Sequence, residues 1–268
     1  MSCASGTSYI VQAGDTLFII AEQKLGDGNR WPEIKNPDGT SPNPNQLQPG
    51  QELCLPGAPS SGGNGFASIV SPETYAALFP NRNALYTYDS LVAATQQYPQ
   101  FCNEGSLEQC KRETAAFLAN ISHETGQLVY VDEQNTQDSY CDASNSTYPC
   151  APGKTYHGRG PIQLSWNFNY GACGNAIGKD LLHQPELVST DSTISFITAL
   201  WFWMTPHPPK PSCHDAIRTS GFGMTINIIN GGIECGKGQQ TPQALDRIQL
   251  YQQYTARLGV TPGDNLGC

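Results

Sequence analysis

Nine consecutive residues, Gly57 to Gly65 (GAPSSGGNG), carry almost no side chain able to pack, and they limit every fold open to this chain. A stretch of that composition behaves as a flexible tether rather than as part of a core. The 268 residues therefore read as two bodies: a small one over residues 1–56, a linker over 57–65, and a larger one over 66–268. The first is too short for a generous apolar core and calls for a staple. Cys3 and Cys54 are its only cysteines and bracket it, so they are expected to pair.

Charge narrows the partners. Only 14% of residues are charged and the formal net charge is −9, whereas nucleic acid or an anionic membrane would reward a basic surface. Neither is expected as a partner. The longest strongly apolar run, Phe196 to Met204, is far shorter than the ~20 residues that span a bilayer. Ten cysteines, an even number without metal-finger CxxC spacing, point to an oxidising compartment and a secreted protein, and a monomer is expected. The first residues show neither a basic n-region nor an apolar h-region, so a mature form without its export signal is expected.

Periodicity predicts a mainly α protein. In the small body, Tyr9 to Gln12 alternates like a strand, and Asp15 can cap a helix with Leu17, Ile20, Ala21 and Leu25 as its apolar stripe. Trp31 to Asn36 reads as a second short helix and Glu52 to Leu55 as a second strand, giving the order β-α-α-β. In the large body, Leu107, Cys110, Phe117, Leu118 and Ile121 share one face of a helix that should stop at Gly126. A second helix should start at Thr241-Pro242, run through Leu245, Ile248, Tyr251 and Leu258, and end at Gly259. Phe196 to Met204 is apolar all round and should be a buried central helix.

The chemistry starts from exclusions. His123-Glu124-Thr125-Gly126 lacks the second His of HExxH, because position 127 is Gln, so no catalytic metal is expected. There is no GxSxG elbow and no dinucleotide-binding glycine loop, so no cofactor is expected either. What remains is a pair of carboxylates nine residues apart. Glu124 falls in the last turn of its helix, where the negative end of the helix dipole and apolar neighbours should disfavour its charged form and suit a general acid. Glu133, in the polar run Asp132-Glu-Gln-Asn, should be ionised and suits a base that activates water. Two glutamates alone are weak evidence, since most are merely solvated.

The motifs around them are more specific. Tyr9-Ile-Val-Gln-Ala-Gly-Asp-Thr-Leu and Asn43-Pro-Asn-Gln-Leu-Gln-Pro-Gly-Gln resemble the LysM family. That resemblance implies a shallow groove for N-acetylglucosamine polymers at Asp15, Thr16, Leu17, Pro44, Asn45 and Leu47. Asp15 as a helix cap and Pro44 as a turn residue are compatible with lining such a groove.

In the large body, the segments Ser122-His-Glu-Thr-Gly, Tyr140-Cys, Tyr148-Pro-Cys-Ala-Pro-Gly-Lys, Gly158 to Gly171, Ala199-Leu-Trp-Phe-Trp-Met and Ile226 to Gly236 occur in the order seen in family 19 glycoside hydrolases. The resemblance covers residues 66–268. It implies a two-lobed, lysozyme-like α-helical fold with a long cleft and an inverting endochitinase acting on chitin and N-acetylglucosamine oligosaccharides. On it, Glu124 matches the general acid, Glu133 the general base and Ser165 the hydroxyl that holds the attacking water. Gln163, Asn169, Asn230 and Arg247 match residues that bind sugar or support the carboxylates. Arg247 otherwise suits an ordinary surface salt bridge. Tyr140 and Tyr148 suit either sugar stacking or a core role, and His123 a structural hydrogen bond with a sugar contact beside it.

Departures from the plant pattern are also visible. The stretch from Gly126 to Tyr130 is shorter than in many plant members, which implies fewer subsites, and Phe168 and Tyr148 stand where tyrosine and tryptophan are common. Cys141 with Cys150 and Cys235 with Cys268 match family disulfides. Cys102 with Cys110 and Cys173 with Cys213 are then the leftover pairs. A peptidoglycan-cleaving lysin and a non-catalytic chitin-binding lectin are the alternatives, and retention of both Glu124 and Glu133 speaks against the lectin.

Overall fold

The structure is a computed structural model that describes residues 7–25, 28–44, 46–55, 65–135 and 137–268. Its internal contacts divide the chain into two units, Met1–Gly63 and Asn64–Cys268. The expected linker lies, apart from Gly65, outside the described residues.

The small unit pairs β1 (Thr7–Ile10) antiparallel with β2 (Glu52–Leu55), with Ile10 opposite Glu52. Val11 extends the pairing, donating its N–H to Gln51 and accepting from Gly50. On this ribbon lies α1 (Leu17–Leu25), burying Leu17, Ile20 and Ala21 against Val11, Ile34, Leu53 and Leu55. Thr16 rather than Asp15 caps α1: its Oγ1 accepts the Ile19 N–H at 3.2 Å. Asp15 instead closes the preceding turn, accepting from the Gln12 N–H at 2.7 Å and the Tyr9 hydroxyl at 2.8 Å. The second helix differs from expectation. A 3₁₀ turn spans Gly28–Glu33 and contains Pro32, and by Lys35 the backbone is already bridged to Cys54. Ile34 is fully buried while Trp31 is exposed, and the expected helix over 31–36 is an irregular loop. Cys54 is disulfide-bonded, and its expected partner Cys3 lies outside the described residues.

In the large unit, the short helices α2 (Phe66–Ile69), α3 (Pro72–Leu78) and α4 (Tyr88–Thr95) precede α5 (Leu107–Thr125), the long helix expected from the sequence. A reciprocal capping box, Ser106 with Gln109, starts α5, and Gly126 in the left-handed region ends it. After α6 (Asn167–Ile177) and α7 (Leu187–Thr190) comes α8 (Ser192–Met204), capped by Asp191 and buried along most of its length as its composition demanded. α9 (Cys213–Thr219), α10 (Phe222–Glu234) and α11 (Pro242–Arg257) complete the unit. Thr241 caps α11 as expected. The two anticipated apolar faces each contain one misplaced member, since Leu107 and Leu245 are exposed.

The core locks α5 in place. Phe117 packs edge-on against Phe101 and Trp203. Glu113, fully buried at mid-helix, accepts hydrogen bonds from Trp203 Nε1 (3.1 Å), His214 Nδ1 (2.6 Å) and the Cys102 N–H (3.1 Å), tying α5 to α8, α9 and the preceding loop. A buried carboxylate is tolerable when its lone pairs are filled this way.

In the large unit Cys141–Cys150 and Cys235–Cys268 are disulfides, as the family resemblance implied. The leftover pairs do not form. Cys102, Cys173 and Cys213 are buried thiols, and the Cys110 Sγ donates to the Glu104 carbonyl at 3.1 Å. Cys102 Sγ is engaged by Thr114 Oγ1 at 3.0 Å. Cys213 has Arg247, Glu113 and Lys210 as charged neighbours, whereas Cys173 sits near Tyr98 and Tyr170. Pairing by elimination ignores the Cα separation and direction that a disulfide demands.

Candidate active site

α5 delivers Glu124 in its last turn, and the chain then reverses. Gly126 (φ 59°), Gln127 (φ 64°) and Leu128 (φ 62°) are three successive residues in the left-handed region. The reversal is held by Leu128, which is buried, donates its N–H to Thr125 Oγ1 and accepts from the Asn83 N–H, both at 2.8 Å. The chain thus turns back towards Glu133 directly after the helix.

The Glu124 carboxylate meets the guanidinium of Arg247, which is fully buried on α11. Of the two readings of Arg247, the cationic partner of a carboxylate is the one observed. Its other N–H groups form a fork onto Glu234, Nε to Oε2 at 2.9 Å and Nη2 to Oε1 at 2.8 Å, and Nη1 donates to Asn120 Oδ1 at 3.1 Å. Burial alone would push the Glu234 carboxyl up, but Arg247 and the Asn230 amide (2.9 Å) outweigh it and hold it below the usual carboxylate range. Asn230 occupies the one non-helical position inside α10 (φ −143°, ψ 29°).

Glu133 is held differently. Its N–H donates to the Gly158 carbonyl at 2.8 Å, and its Oε2 accepts the Gly158 N–H at 3.1 Å. Oε1 accepts the Tyr140 hydroxyl at 2.6 Å. That hydrogen bond, followed by partial burial and nearby negative charge, pushes Tyr140 up to about 12. Behind Glu133, Asp132 is bridged to Arg159 and Arg159 to Leu164, so the segment is one edge of a small hairpin. The Gln163 amide closes that hairpin onto Val131 and Gly160, Ser165 Oγ donates to the Gln163 carbonyl at 2.9 Å, and Asn169 reaches the Ser165 carbonyl at 2.9 Å.

These groups converge on one open cavity of about 550 Å³, lined by Glu124, Glu133, Tyr140, Gln163, Ser165, Asn169 and Asn230. Two carboxylates facing one cleft, with hydroxyls and amides between them, are the equipment that glycoside hydrolysis requires. Among the described residues, no group of three or more His, Cys, Asp or Glu could hold a metal ion.

A family description reading "Chitinase class I" (glycoside hydrolase family 19) fits residues 78–268, and one reading "LysM domain" fits residues 9–56. The chain belongs to glycoside hydrolase family 19. It is 46% identical over 253 residues to Endochitinase 2 of Gossypium hirsutum, an alignment covering 81% of this chain and 83% of that one. Against Endochitinase A2 of Pisum sativum identity is 46% over 243 residues, covering 78% and 74%. The structure superposes on chitinase C from Streptomyces griseus HUT6037 with a TM-score of 0.72 at 48% identity, covering 77% of this chain and all of that one. Against the class IV family 19 chitinase from Zea mays the TM-score is 0.67 at 40% identity, with 75% and 98% covered.

Three expected residues of the family 19 domain do not line its cavity. Arg247 stands behind Glu124, fully buried. His123 turns towards α11, its Nδ1 2.6 Å from Asp246 Oδ2. Tyr148 packs on α6, where a Cβ on Gly171 would lie 2.2 Å from its ring and where Asn175 donates to its hydroxyl at 3.3 Å. Conversely, sequence reasoning missed Glu234 as the second carboxylate on Arg247, and missed Trp166, Phe202, Ile229 and Ile233 as apolar lining. The signal for Glu234 was available: it sits four residues after Asn230, one helical turn on. Trp166 meets Tyr140 edge-on at 5.3 Å and stacks on Phe168 at 6.1 Å, so these three rings form a continuous aromatic wall.

In the LysM unit, Leu17 and Pro44 line an apolar hollow of about 280 Å³ together with Trp31, Pro32, Ile34, Ser41 and Pro42. Thr16 is exposed, Asp15 is part-buried in its turn, and Leu47 packs against the small core. Asn45 lies outside the described residues.

Proposed function

We propose that this family 19 enzyme is a secreted, monomeric endochitinase that cleaves β-1,4 bonds between N-acetylglucosamine units by single displacement. Glu124 is the general acid, Glu133 the general base, and the LysM unit holds the enzyme on insoluble chitin, fungal wall included. The observation that carries the reading is the cavity faced by two carboxylates with unlike partners. Among the described residues Glu133 accepts from two neutral donors, Tyr140 and Gly158, and takes a proton from water, with Ser165 in the same lining to hold that water. The water attacks the anomeric carbon as the leaving oxygen takes the proton of Glu124. Arg247 then faces the carboxylate that this step creates. Before it, the fork onto Glu234 already balances the guanidinium charge. The aromatic wall and the amides of Gln163, Asn169 and Asn230 supply stacking faces and partners for acetamido sugars.

The stereochemistry of the first product tests the mechanism. Inversion needs carboxyl groups about 6.5 to 9.5 Å apart, and NMR of the earliest product from a soluble oligomer should show the α-anomer. A β-anomer would overturn single displacement. For the LysM unit, a chain starting at Gly65 should keep its turnover on soluble oligomers and lose binding to insoluble chitin, because a tethered module acts through local concentration. Equal chitin binding with and without residues 1–57 would refute that role.

A further inference from the structure

We propose that Asp132 is a positioning residue for Glu133, fixing the register of the base-bearing segment from behind through Arg159, His157 and Ser189. The inference rests on Glu133 being the base.

Successive side chains of an extended segment point to opposite sides. Glu133 faces the cavity, and Asp132, its neighbour, turns away into a polar cluster. There Asp132 Oδ1 accepts the Ser189 hydroxyl of α7 at 2.8 Å and lies 3.4 Å from both Arg159 Nε and His157 Nε2. Asp132 itself is half-exposed, but the groups it meets are not: the Arg159 and His157 side chains are 8% and 12% exposed. Arg159 is held in turn by the Thr155 carbonyl at 3.0 Å and the Tyr170 hydroxyl at 2.9 Å, and its guanidinium lies over the Tyr170 ring.

The cluster fixes its own protonation pattern. A carboxylate only accepts, so His157 Nε2 carries the proton towards Asp132, and Nδ1 accepts from Arg159 Nη2 (3.4 Å) and Thr155 Oγ1 (3.1 Å). Burial and the Arg159 charge both lower the His157 pKa, in keeping with this neutral form. Asp132 thus contacts one buried cation and one neutral imidazole at once, and Ser189 ties it to α7.

The consequence reaches the reaction because Asp132 and Glu133 share a hairpin edge. Backbone bonds from Glu133 to Gly158 and from Gly160 to Val131 hold that edge at 2.8 and 2.9 Å. They fix its distance from the hairpin, but a slip of one residue would exchange the two carboxylates between cavity and cluster. The mutual fit of Asp132 with Arg159, His157 and Ser189 forbids the slip and holds the Glu133 carboxylate where Tyr140 meets it.

The test compares Asp132→Ala, Asp132→Asn, Ser189→Ala and Glu133→Gln in the full chain, with kcat and KM on a soluble N-acetylglucosamine oligomer and thermal midpoints recorded for each. Misplacing a reacting group by about 1 Å costs on the order of 10²-fold, so Asp132→Ala should lose about that much kcat while KM stays within about twofold. Asp132→Asn keeps an oxygen for all three contacts and should recover most of the loss. Ser189→Ala, which removes one tie and no charge, should show a smaller fall of the same kind and guards against an unfolded Ala variant. A lowered midpoint with unchanged kcat in Asp132→Ala and Ser189→Ala would make the cluster merely structural and overturn the proposal. Equal losses in the Ala and Asn variants would assign the effect to charge and overturn it too. Glu133→Gln separates the layers: if it keeps turnover, the base assignment fails; if it is inactive while Asp132→Ala is normal, only the positioning role fails.

Discussion

Glu124 stands on a nineteen-residue helix and is braced by ionic groups buried behind it, whereas Glu133 stands on an irregular hairpin edge and is braced in the cavity by a backbone N–H and a phenol. The first arrangement is rigid in direction but depends on ionisation, because a guanidinium shared by two carboxylates works only while the buried Glu234 stays charged. The second is indifferent to the charge of its donors but depends on register, since its donors are fixed in a hairpin. One cleft therefore combines a brace sensitive to ionisation with a brace sensitive to alignment.

The largest expected effect treats the two alike. General acid and base groups each contribute about 10² to 10⁴-fold, so Glu124→Gln and Glu133→Gln should each lose at least that in steady-state turnover of soluble oligomers. Glu124→Gln should do so at every pH, and Glu133→Gln should still bind oligosaccharide. Near-normal turnover in either removes that residue from the comparison.

The next effect should separate the braces. Glu234→Ala leaves the buried Arg247 without its fork, and breaking a buried pair costs about 3–5 kcal/mol; urea unfolding should show this loss. The folded pKa of Glu234 lies below its unfolded value of about 4.3. Its stabilisation is therefore fully present above that unfolded value and disappears as pH falls through the lower folded one. The thermal midpoint of the intact protein should drop across that acid window more steeply than that of Glu234→Gln. Parallel curves would mean that the ionic brace carries no pH dependence.

On the other side, Tyr140→Phe removes one neutral donor from a charged acceptor, an interaction of about 1.5–3 kcal/mol. It should lower kcat by roughly ten- to a hundredfold, with little change in unfolding. A large stability loss instead would show that the hairpin brace is also structural. The smallest effect lies outside both braces: Thr16→Ala removes the α1 cap and should destabilise the LysM unit by about 1 kcal/mol, leaving turnover on soluble oligomers unchanged. If soluble turnover fell as well, the two units would not be energetically separate.

What was legible in the sequence follows the same division. α5 and α11 were readable because an apolar period and a stop at Gly126 or Gly259 agree, with Thr241 opening the second. The caps Ser106 and Asp191 emerge only in the structure, but α8 was readable too because Phe196 to Met204 is apolar all round. The 3₁₀ turn at Gly28–Glu33 was not, since Trp31 and Ile34 have helical spacing whether or not a helix joins them. Asp15 and Thr16 are adjacent capping residues, and only the structure shows that the turn to Gln12 claims the first and leaves α1 to the second. The cavity residues between Glu124 and Asn230 came from motif order, while the side-chain directions of His123 and Tyr148 depend on Asp246 and Gly171, distant in sequence. Glu234 had a local signal in its spacing from Asn230, but its role shows only through Arg247, thirteen residues away across a loop.

The reversal after α5 has a consequence for how freely this enzyme can change. Gln127 and Leu128 occupy a conformation that costs L-residues roughly 1–2 kcal/mol each, and glycine would adopt it without that cost. A search for hardier variants would be drawn to Gln127→Gly. Yet the angle at which the chain leaves Glu124 sets the span between the two carboxylates, and a looser turn would let that span wander. Robustness and catalytic geometry thus compete at Gln127 and Leu128, and improvement of one is bounded by tolerance in the other.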